Sequence, residues 1–589
     1  MKFFNPFQKH DHSNFPGVVI PLASAHPPRS IPSPSPSTVD KKHGSDEKAD
    51  DRSLEHAPST EKGIGSAIPK YSQLTIEALR AEVESDVATS GHDSAYDRKA
   101  KVINRAVQDI GMGRYQWELF ALCGFGWLAD NLWLQGVALT LPQLSMEFGV
   151  SSDHVRFTTC ALFLGLCLGA SFWGIASDVI GRRPAFNLTL FITGVFGLAA
   201  GGGPTWIGVC ALFSCLGLGV GGNLPVDGAL FLEFLPFASG NLLTMLSVWW
   251  PVGNLIASLL AWAFIPNYTC QSGLPSCHKV GDGVACCSKR DNMGWRYLVL
   301  TLGALTFVMF ICRFFLFHLY ESPKFLLSRG RQGEAVAAVH GIAYKNRSKT
   351  WLTEEILNEI GGYPDEVTQQ TLTSKDIIQR YLSKFSMQRI APLFATKRLG
   401  FTTVLLWFCW ATIGMGYPLF NAFLPQYIKR AGGSTEQSTS TVYRNYAITA
   451  IVGVPGSILA CYTVDVKYVG RKGTMIASTL ITGVLLFCFT ASTNPDVQLV
   501  CTSLEAFFQN IMYGVLYAYT PEVFPAPNRG TGTGIASCLN RIAGLCAPLV
   551  AIYSGSNPNA PIYASGALML AAFVAMCLLP IETRGKQTL

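Results

Sequence analysis

Four ionisable residues stand well inside long apolar runs: Asp130, Asp227, Glu505 and Arg541. A charge at the centre of a bilayer costs roughly 2.5–3.5 kcal/mol on insertion scales, so such residues face a cavity or a partner. Each has polar company at helical spacing. Asn131 and Gln135 follow Asp130 in "GFGWLADNLWLQG" (124–136), and Asn223 lies four before Asp227, with Pro225 between them to bend the helix. Glu505, Gln509, Tyr513 and Tyr517 step by four, Tyr417 and Asn421 do the same, and Ser537, Asn540 and Arg541 cluster. A carboxyl that is protonated facing one side and ionised facing the other couples proton flow to the movement of a solute. A lasting carboxylate attracts a cation, and the fork of Arg541 holds an anion. Trp127, Trp133, Trp249, Trp250 and Trp410 offer faces for a flat or cationic ligand. The plainer reading is a set of buried pairs that lock helices together. Glu505 and Arg541 would then neutralise each other between neighbouring helices, and Asp227 would join a surface network. For Asp130 that reading is weaker, because its run has no basic residue and none is expected deep in the N-terminal half.

The elements that position these residues are membrane spans. Only 14% of the 589 residues are charged, where a soluble chain carries about 25%. Twelve runs suit a bilayer crossing: 118–141, 156–176, 185–200, 206–228, 241–265, 295–319, 399–424, 445–464, 473–491, 498–519, 531–553 and 560–580. The fold class is therefore an all-α membrane protein of twelve transmembrane helices in two six-helix bundles. Residues 1–112 read as a disordered cytosolic tail, rich in Pro, Ser and charge, with short helices at 75–87 and 97–111. The bundles are expected at 113–320 and 399–580, a cytosolic central loop at 321–398 and a C-terminal tail at 581–589. Twelve Lys and Arg in 320–398 set both termini in the cytosol by the positive-inside rule. The net charge of +7 reflects that bias and is no sign of nucleic acid. The outward stretch 266–294 carries a glycosylation sequon at Asn267 and four cysteines, Cys270, Cys277, Cys286 and Cys287. In an oxidising compartment these form disulfides, with three pairings open. A plasma membrane is favoured, a vacuolar one being the alternative.

The halves echo one another. "ASDVIGRRP" and "TVDVKYVGRKG" each follow the second span of a half, and Gly181 and Gly470 are 289 apart. "FLEFLP" and "YTPEVFP" put Glu233 and Glu522 at the same offset of 289. "YESPKFLL" and "PIETRGK" close the two halves. Parallel repeats of this kind hold a substrate between them near the bilayer midplane.

The pattern Gly174-x-x-x-Asp178-x-x-Gly181-Arg182-Arg183 resembles the loop signature of the major facilitator superfamily. "YESP", "PEVFP" with "RGTGTG", and "PIETRG" resemble its sugar-porter branch. "GLGVGGNLPVDGALFLEFLP" and "GFGWLADNLWLQGVALTLPQ" are similar to the synaptic-vesicle-transporter-related and nicotinate-transporter-like group in its fungal form, over residues 105–589. The resemblance implies alternating access and organic ions, carboxylates or amines, ahead of sugars. The paired Gln of hexose porters is missing from "WFCWATIGMGYPLFNAFLPQY", and Phe213 stands near the place of their fourth-span Arg. It also implies a cytosolic gate in which Asp178, Arg182, Arg183, Glu233 and Glu321, repeated as Asp465, Arg471, Glu522, Arg529 and Glu582, pair when that side is shut. Solvation of a basic surface is the plainer reading.

No phosphate loop, metal pair or Ser/His/Asp set is found, so no enzyme, cofactor or metal is expected. The expected partners are the lipid bilayer, a small-molecule substrate and protons, for a monomer driven by the proton gradient. A sugar or polyol carrier and a non-transporting nutrient receptor are the rivals.

Overall fold

The structure is a computed structural model that describes residues 15–24, 74–90, 95–236, 241–271, 273–280, 284–363, 390–431, 438–464, 466, 469–524, 529–554 and 559–583. Two helices precede the membrane region, α1 (Ile76–Ser90) and α2 (Ala95–Ile110). The first half holds α3 (Arg114–Phe148), α4 (Phe157–Ile180), α5 (Arg182–Gly201), α6 (Trp206–Phe234), a fifth span broken into α7 (Asn241–Leu246) and α8 (Trp249–Phe264), and α9 (Gly294–Ile311), which runs on into a π-helical turn at Cys312–Leu316. Short helices α10 (Pro323–Ser328), α11 (Gln332–Lys345) and α12 (Glu354–Gly361) follow. The second half holds α13 (Lys397–Asn421), α14 (Leu424–Ala431), α15 (Thr439–Thr463), α16 (Gly470–Ala491), α17 (Pro495–Val523), α18 (Arg529–Tyr553) and α19 (Ala560–Leu578).

Ten helices among the described residues are long and apolar enough to cross a membrane, and α3 and the broken α7–α8 complete the twelve. All twelve apolar runs are helical, although α3 is much longer than the apolar run within it. Its ends carry Arg, Gln and Glu, which hydropathy alone trims away. Caps fix several starts: Thr205, Thr396, Ser438 and Asn494 each accept a backbone N–H of the first turn. Gly149, left-handed at φ 66°, ends α3.

The repeat is visible in the packing. In the first half α4 packs on α6, α5 on α6 and α9, and α3 on α8. The second half matches this with α15 on α17, α16 on α17 and α19, and α13 on α18. The halves meet through α8 against α15 and α4 against α18, partners exchanged by a pseudo-twofold. With an even number of spans, the start of α3 and the end of α19 lie on one side, here the terminal side. The opposite face is the disulfide side: Cys270 is bonded to Cys287, and Cys277 to Cys286.

The described parts of the N-terminal region pack into a cap on the terminal side, where the sequence reading had a disordered tail with surface helices. One face of α2 buries Val102, Ile103, Ala106 and Val107 against Ala335, Val339 and Leu357 of α11 and α12. Val18 is buried and its carbonyl accepts from Thr350 N at 3.0 Å, while Ile20 N donates to Thr350 O at 3.0 Å. Lys99 is buried as well and donates to Gln332 Oε1 at 2.9 Å and Asn358 Oδ1 at 3.2 Å; burial lowers its pKa from the ordinary lysine value. Tyr115 N donates to Asn346 Oδ1 at 2.9 Å, and Asn346 Nδ2 to Gln116 Oε1 at 2.8 Å, which ties the cap to the start of α3.

Candidate functional site

A cavity of about 110 Å³ lies between the halves. Asp130, Asn131 and Gln135 reach it from α3, Tyr417 and Asn421 from α13, Gln509 and Tyr513 from α17, and Asn540 and Arg541 from α18. These nine cavity candidates from the sequence share one lining. Trp250 of α8 and Tyr517 of α17, already singled out by their sequence, line it too, and the structure adds Asn254 from α8 and Tyr446 and Thr449 from α15. Glu505 sits behind the wall, buried, with Asn421 Nδ2 donating to its Oε1 at 3.5 Å and to Gln509 Oε1 at 3.2 Å.

Arg541 Nη2 lies 3.7 Å from Asp130 Oδ1, an ion pair that crosses from one half to the other. The contact is too long for a good hydrogen bond, and Asp130 Oδ1 has no hydrogen-bond partner among the described residues although the side chain is only about 5% exposed. The plainer reading, in which Glu505 and Arg541 neutralise each other, does not describe this arrangement. Helix α17 packs on α15 and α16, whereas α18 packs on α13 and on α4 of the first half, so Arg541 faces across the interface. Asp130 likewise has a basic partner after all, supplied by the other half.

Asn223 and Asp227 are the second correction. Both are fully buried, and neither lines the cavity, to which α6 contributes Leu224. Asp227 Oδ2 accepts from Arg313 Nη2 at 2.7 Å inside the first half. Arg313 also donates to Leu122 O from Nε and to Phe186 O from Nη1, both at 2.9 Å, and its guanidinium lies 3.7 Å over the Phe186 ring. One side chain thus joins α3, α5 and α6 to the π-helical turn after α9. Gly126 leaves room for this, since a Cβ there would collide with the Asp227 carboxylate. A second deep pair, Arg296 Nη2 to Glu147 Oε1 at 2.6 Å, holds the disulfide-side end of α3. The N-terminal half therefore has two buried and paired basic groups, one near each end of the sixth span. Arg296 and Arg313 both lie in the sixth apolar run, and two charges near opposite ends of a strongly apolar run read as interfacial.

Aromatic rings close the cavity towards the terminal side. Trp127 stacks on Trp250 with centroids 4.6 Å apart, and Tyr517 meets Trp250 edge-on at 4.7 Å and Trp410 at 4.6 Å. Of the other candidate ligand faces, Trp133 donates to Thr306 Oγ1 at 3.1 Å in the core, and Trp249 is packed against Phe120 and Phe125. On the disulfide side the closing contacts are polar. Arg156 donates to Gln426 Oε1 at 3.0 Å and to Ala551 O at 2.5 Å, and its guanidinium lies 5.1 Å from the Phe423 ring centre. Gln426 Nε2 donates to Ser152 O at 3.1 Å, and Tyr443 Oη to Leu139 O at 2.8 Å. Sequence reasoning missed this cluster. Arg156 opens the second apolar run, and nothing near it in sequence marks Gln426 as its partner.

The gate residues on the terminal side form two matching clusters. Arg182 Nε lies 3.4 Å from Glu233 Oε1, and Glu321 Oε1 accepts from the backbone N–H of Arg182 at 3.0 Å and of Arg183 at 3.3 Å. Burial raises the Glu321 carboxyl above its usual range, while those N–H groups pull it back down. In the second half Arg471 pairs with Glu522, and Glu582 accepts from Arg471 N at 3.2 Å and Lys472 N at 3.1 Å. These contacts each stay within one half. The side chains of Asp178, Asp465 and Arg529 lie outside the described residues. Asn267 is exposed on the disulfide side, and Thr269 of its sequon donates to Gln143 Oε1 at 2.6 Å.

A family model described as Major Facilitator Superfamily matches residues 121–466 and 406–589. The chain belongs to the major facilitator superfamily. This transporter is 43% identical over 520 residues to "MFS siderochrome iron transporter 1" of Ceriporiopsis subvermispora, covering 87% of this chain and 97% of that protein. It is 40% identical to "Major facilitator-type transporter hxnZ" of Emericella nidulans, covering 86% and 90%. The "Synaptic vesicle 2-related protein" of Rattus norvegicus is 27% identical, with 82% of each chain covered. The fold is that of the solved structure "Partially occluded inward open conformation of the xylose transporter XylE from E. coli", with a TM-score of 0.57 at 17% identity over 80% of this chain and 99% of that one. This facilitator is a multi-pass membrane transporter and not an enzyme.

Proposed function

We propose that this facilitator carries a small organic ion by alternating access and draws on the proton gradient through Asp130. The observation that carries the reading is the Asp130–Arg541 pair, which joins the two halves inside the cavity. A proton on Asp130 cancels one charge of the pair and loosens the contact that holds the halves together. Arg541 then faces the solute. The closures on both sides of the cavity support a cycle in which one opens at a time.

Size supports a compact solute. A cavity of about 150 Å³ holds benzene, and this one is about 110 Å³ with both of its sides closed, so a solute of about one ring is accommodated as one side opens. A ferric chelate, suggested by the relative named a siderochrome iron transporter, is therefore a second arm of the assay. The basic central loop supports cytosolic termini, and the disulfides and the exposed Asn267 support a glycosylated face in an oxidising compartment, with the plasma membrane favoured. The two Arg–Glu clusters are proposed to stiffen each half at its terminal-side gate.

The test is uptake into vesicles holding the purified chain, with a proton gradient of either sign. The panel holds organic anions, organic amines, sugars and a ferric chelate. The reading expects gradient-driven uptake of an organic ion, with the dependence on the gradient lost in Asp130→Asn. Uptake of sugar alone, indifferent to gradient and substitution, would replace it with a facilitator reading.

A further inference from the structure

We infer that the solute is a zwitterion, a single-ring or smaller molecule carrying a carboxylate and an N–H-bearing ammonium group, which binds by exchanging partners with the Asp130–Arg541 pair. This rests on the cavity being the transport site. The cavity's charged lining is one carboxylate and one guanidinium, already 3.7 Å apart and both nearly buried. A lone anion that took Arg541 would strand Asp130, and a lone cation that took Asp130 would strand Arg541. Removing one partner of a buried pair is strongly unfavourable. A zwitterion pairs both, its carboxylate on Arg541 and its ammonium on Asp130, so the two halves are joined through the ligand in place of the direct contact.

A protonated Asp130 beside a bound anion also balances charge. The uncharged lining decides between the two. Asn254 and Asn540 line the same cavity, and among the described residues their buried Oδ1 atoms, like Asp130 Oδ1, have no hydrogen-bond partner, nor do Trp250 Nε1 and Tyr446 Oη of the same lining. The three oxygens require donors, and the indole and phenol groups an acceptor. A carboxylate supplies the acceptor alone, and with a proton on Asp130 both asparagine oxygens stay unmet, whereas a zwitterion brings acceptor and donors together. An ammonium carries up to three N–H groups, one for each of these oxygens. A quaternary nitrogen would supply the charge without the donors. The ammonium and the driving proton then claim the same carboxylate, so they bind in turn.

The experiment uses three probes of one shape in vesicles of the full chain: 3-(aminomethyl)benzoate, 3-methylbenzoate and 3-methylbenzylammonium. The expected result is uptake of the zwitterion at least about tenfold above either single ion, falling about tenfold or more when its nitrogen is trimethylated. Asp130→Asn is expected to favour the anion over the zwitterion, and Arg541→Gln the cation. The comparison of probes on the unaltered chain decides the matter even if a variant fails to fold. Proton-driven uptake of 3-methylbenzoate equal to or above the zwitterion would overturn the zwitterion while leaving organic-ion transport intact. Uptake of none of the three, with a sugar or ferric chelate carried, would overturn both.

Discussion

Replacing Arg156 by Met should open the disulfide side of the cavity. The guanidinium makes two hydrogen bonds across the interface, to Gln426 Oε1 and Ala551 O, and is only 2% exposed. Hydrogen bonds to charged groups contribute about 1.5–3 kcal/mol each. The open state rehydrates the guanidinium, so the lower end applies, about 3 kcal/mol for the two. At 1.4 kcal/mol per tenfold, the open fraction rises on the order of 100-fold. Methionine keeps an unbranched apolar stem of the side chain, so the loss is that of the donors and of the guanidinium beside Phe423. The assay places a cysteine at Ala450, which lines the cavity, and measures its labelling by a membrane-impermeant thiol reagent from the disulfide side. Labelling is counted above that of the same chain with Ala450 retained, because other thiols are present. A rise of more than tenfold over the Arg156 parent is expected. Labelling unchanged within twofold, in a variant that melts normally, would show that these bonds do not hold the cavity shut.

Arg313→Met leaves the Asp227 carboxylate buried without its cation and should cost about 3–5 kcal/mol, a fall of roughly 6–20 °C in melting temperature for a half of this size. Adding Asp227→Leu should recover much of that loss, and a purely additive double variant would contradict the pairing. The buried Lys99 has its pKa lowered by burial, so the unfolded cap binds its proton more tightly than the folded one. Cap stability should therefore rise with pH between the lowered value and about 10.5, and Lys99→Met should flatten that slope in hydrogen exchange across α2, α11 and α12. Breaking the Cys270–Cys287 bond with Cys270→Ser and Cys287→Ser should cost about 2–5 kcal/mol and loosen the loop that holds the end of α3 through Thr269 and Asn292. Peptide mapping without reductant should recover that bond and Cys277–Cys286, and no other pairing of the four.

The spans were legible because each is a long apolar run, and the repeat because its motifs keep a constant offset. Nine cavity residues were legible for a related reason: a polar group in an apolar helix needs a cavity or a partner. Which of the two it has was not. Asn223 and Asp227 share a face, but α6 is apolar all round, so its sequence does not say which way that face points. It points into the first half, to Arg313. Asp130 and Arg541 are partners over 411 residues, a pairing set by how α18 packs across the interface and invisible to local spacing. The Arg156 cluster was hidden in the same way. The cap was missed because α2 is strongly charged on one face and its apolar face finds α11 and α12 only in three dimensions.

The most direct test of the central claim is proton movement recorded inside vesicles when the carried solute is added at equal pH on both sides. The account predicts a proton flux in fixed proportion to the solute in the unaltered chain, and none in Asp130→Asn. A variant that still moves protons in step with the solute would remove Asp130 from the coupling and leave its pair with Arg541 as a structural tie between the halves.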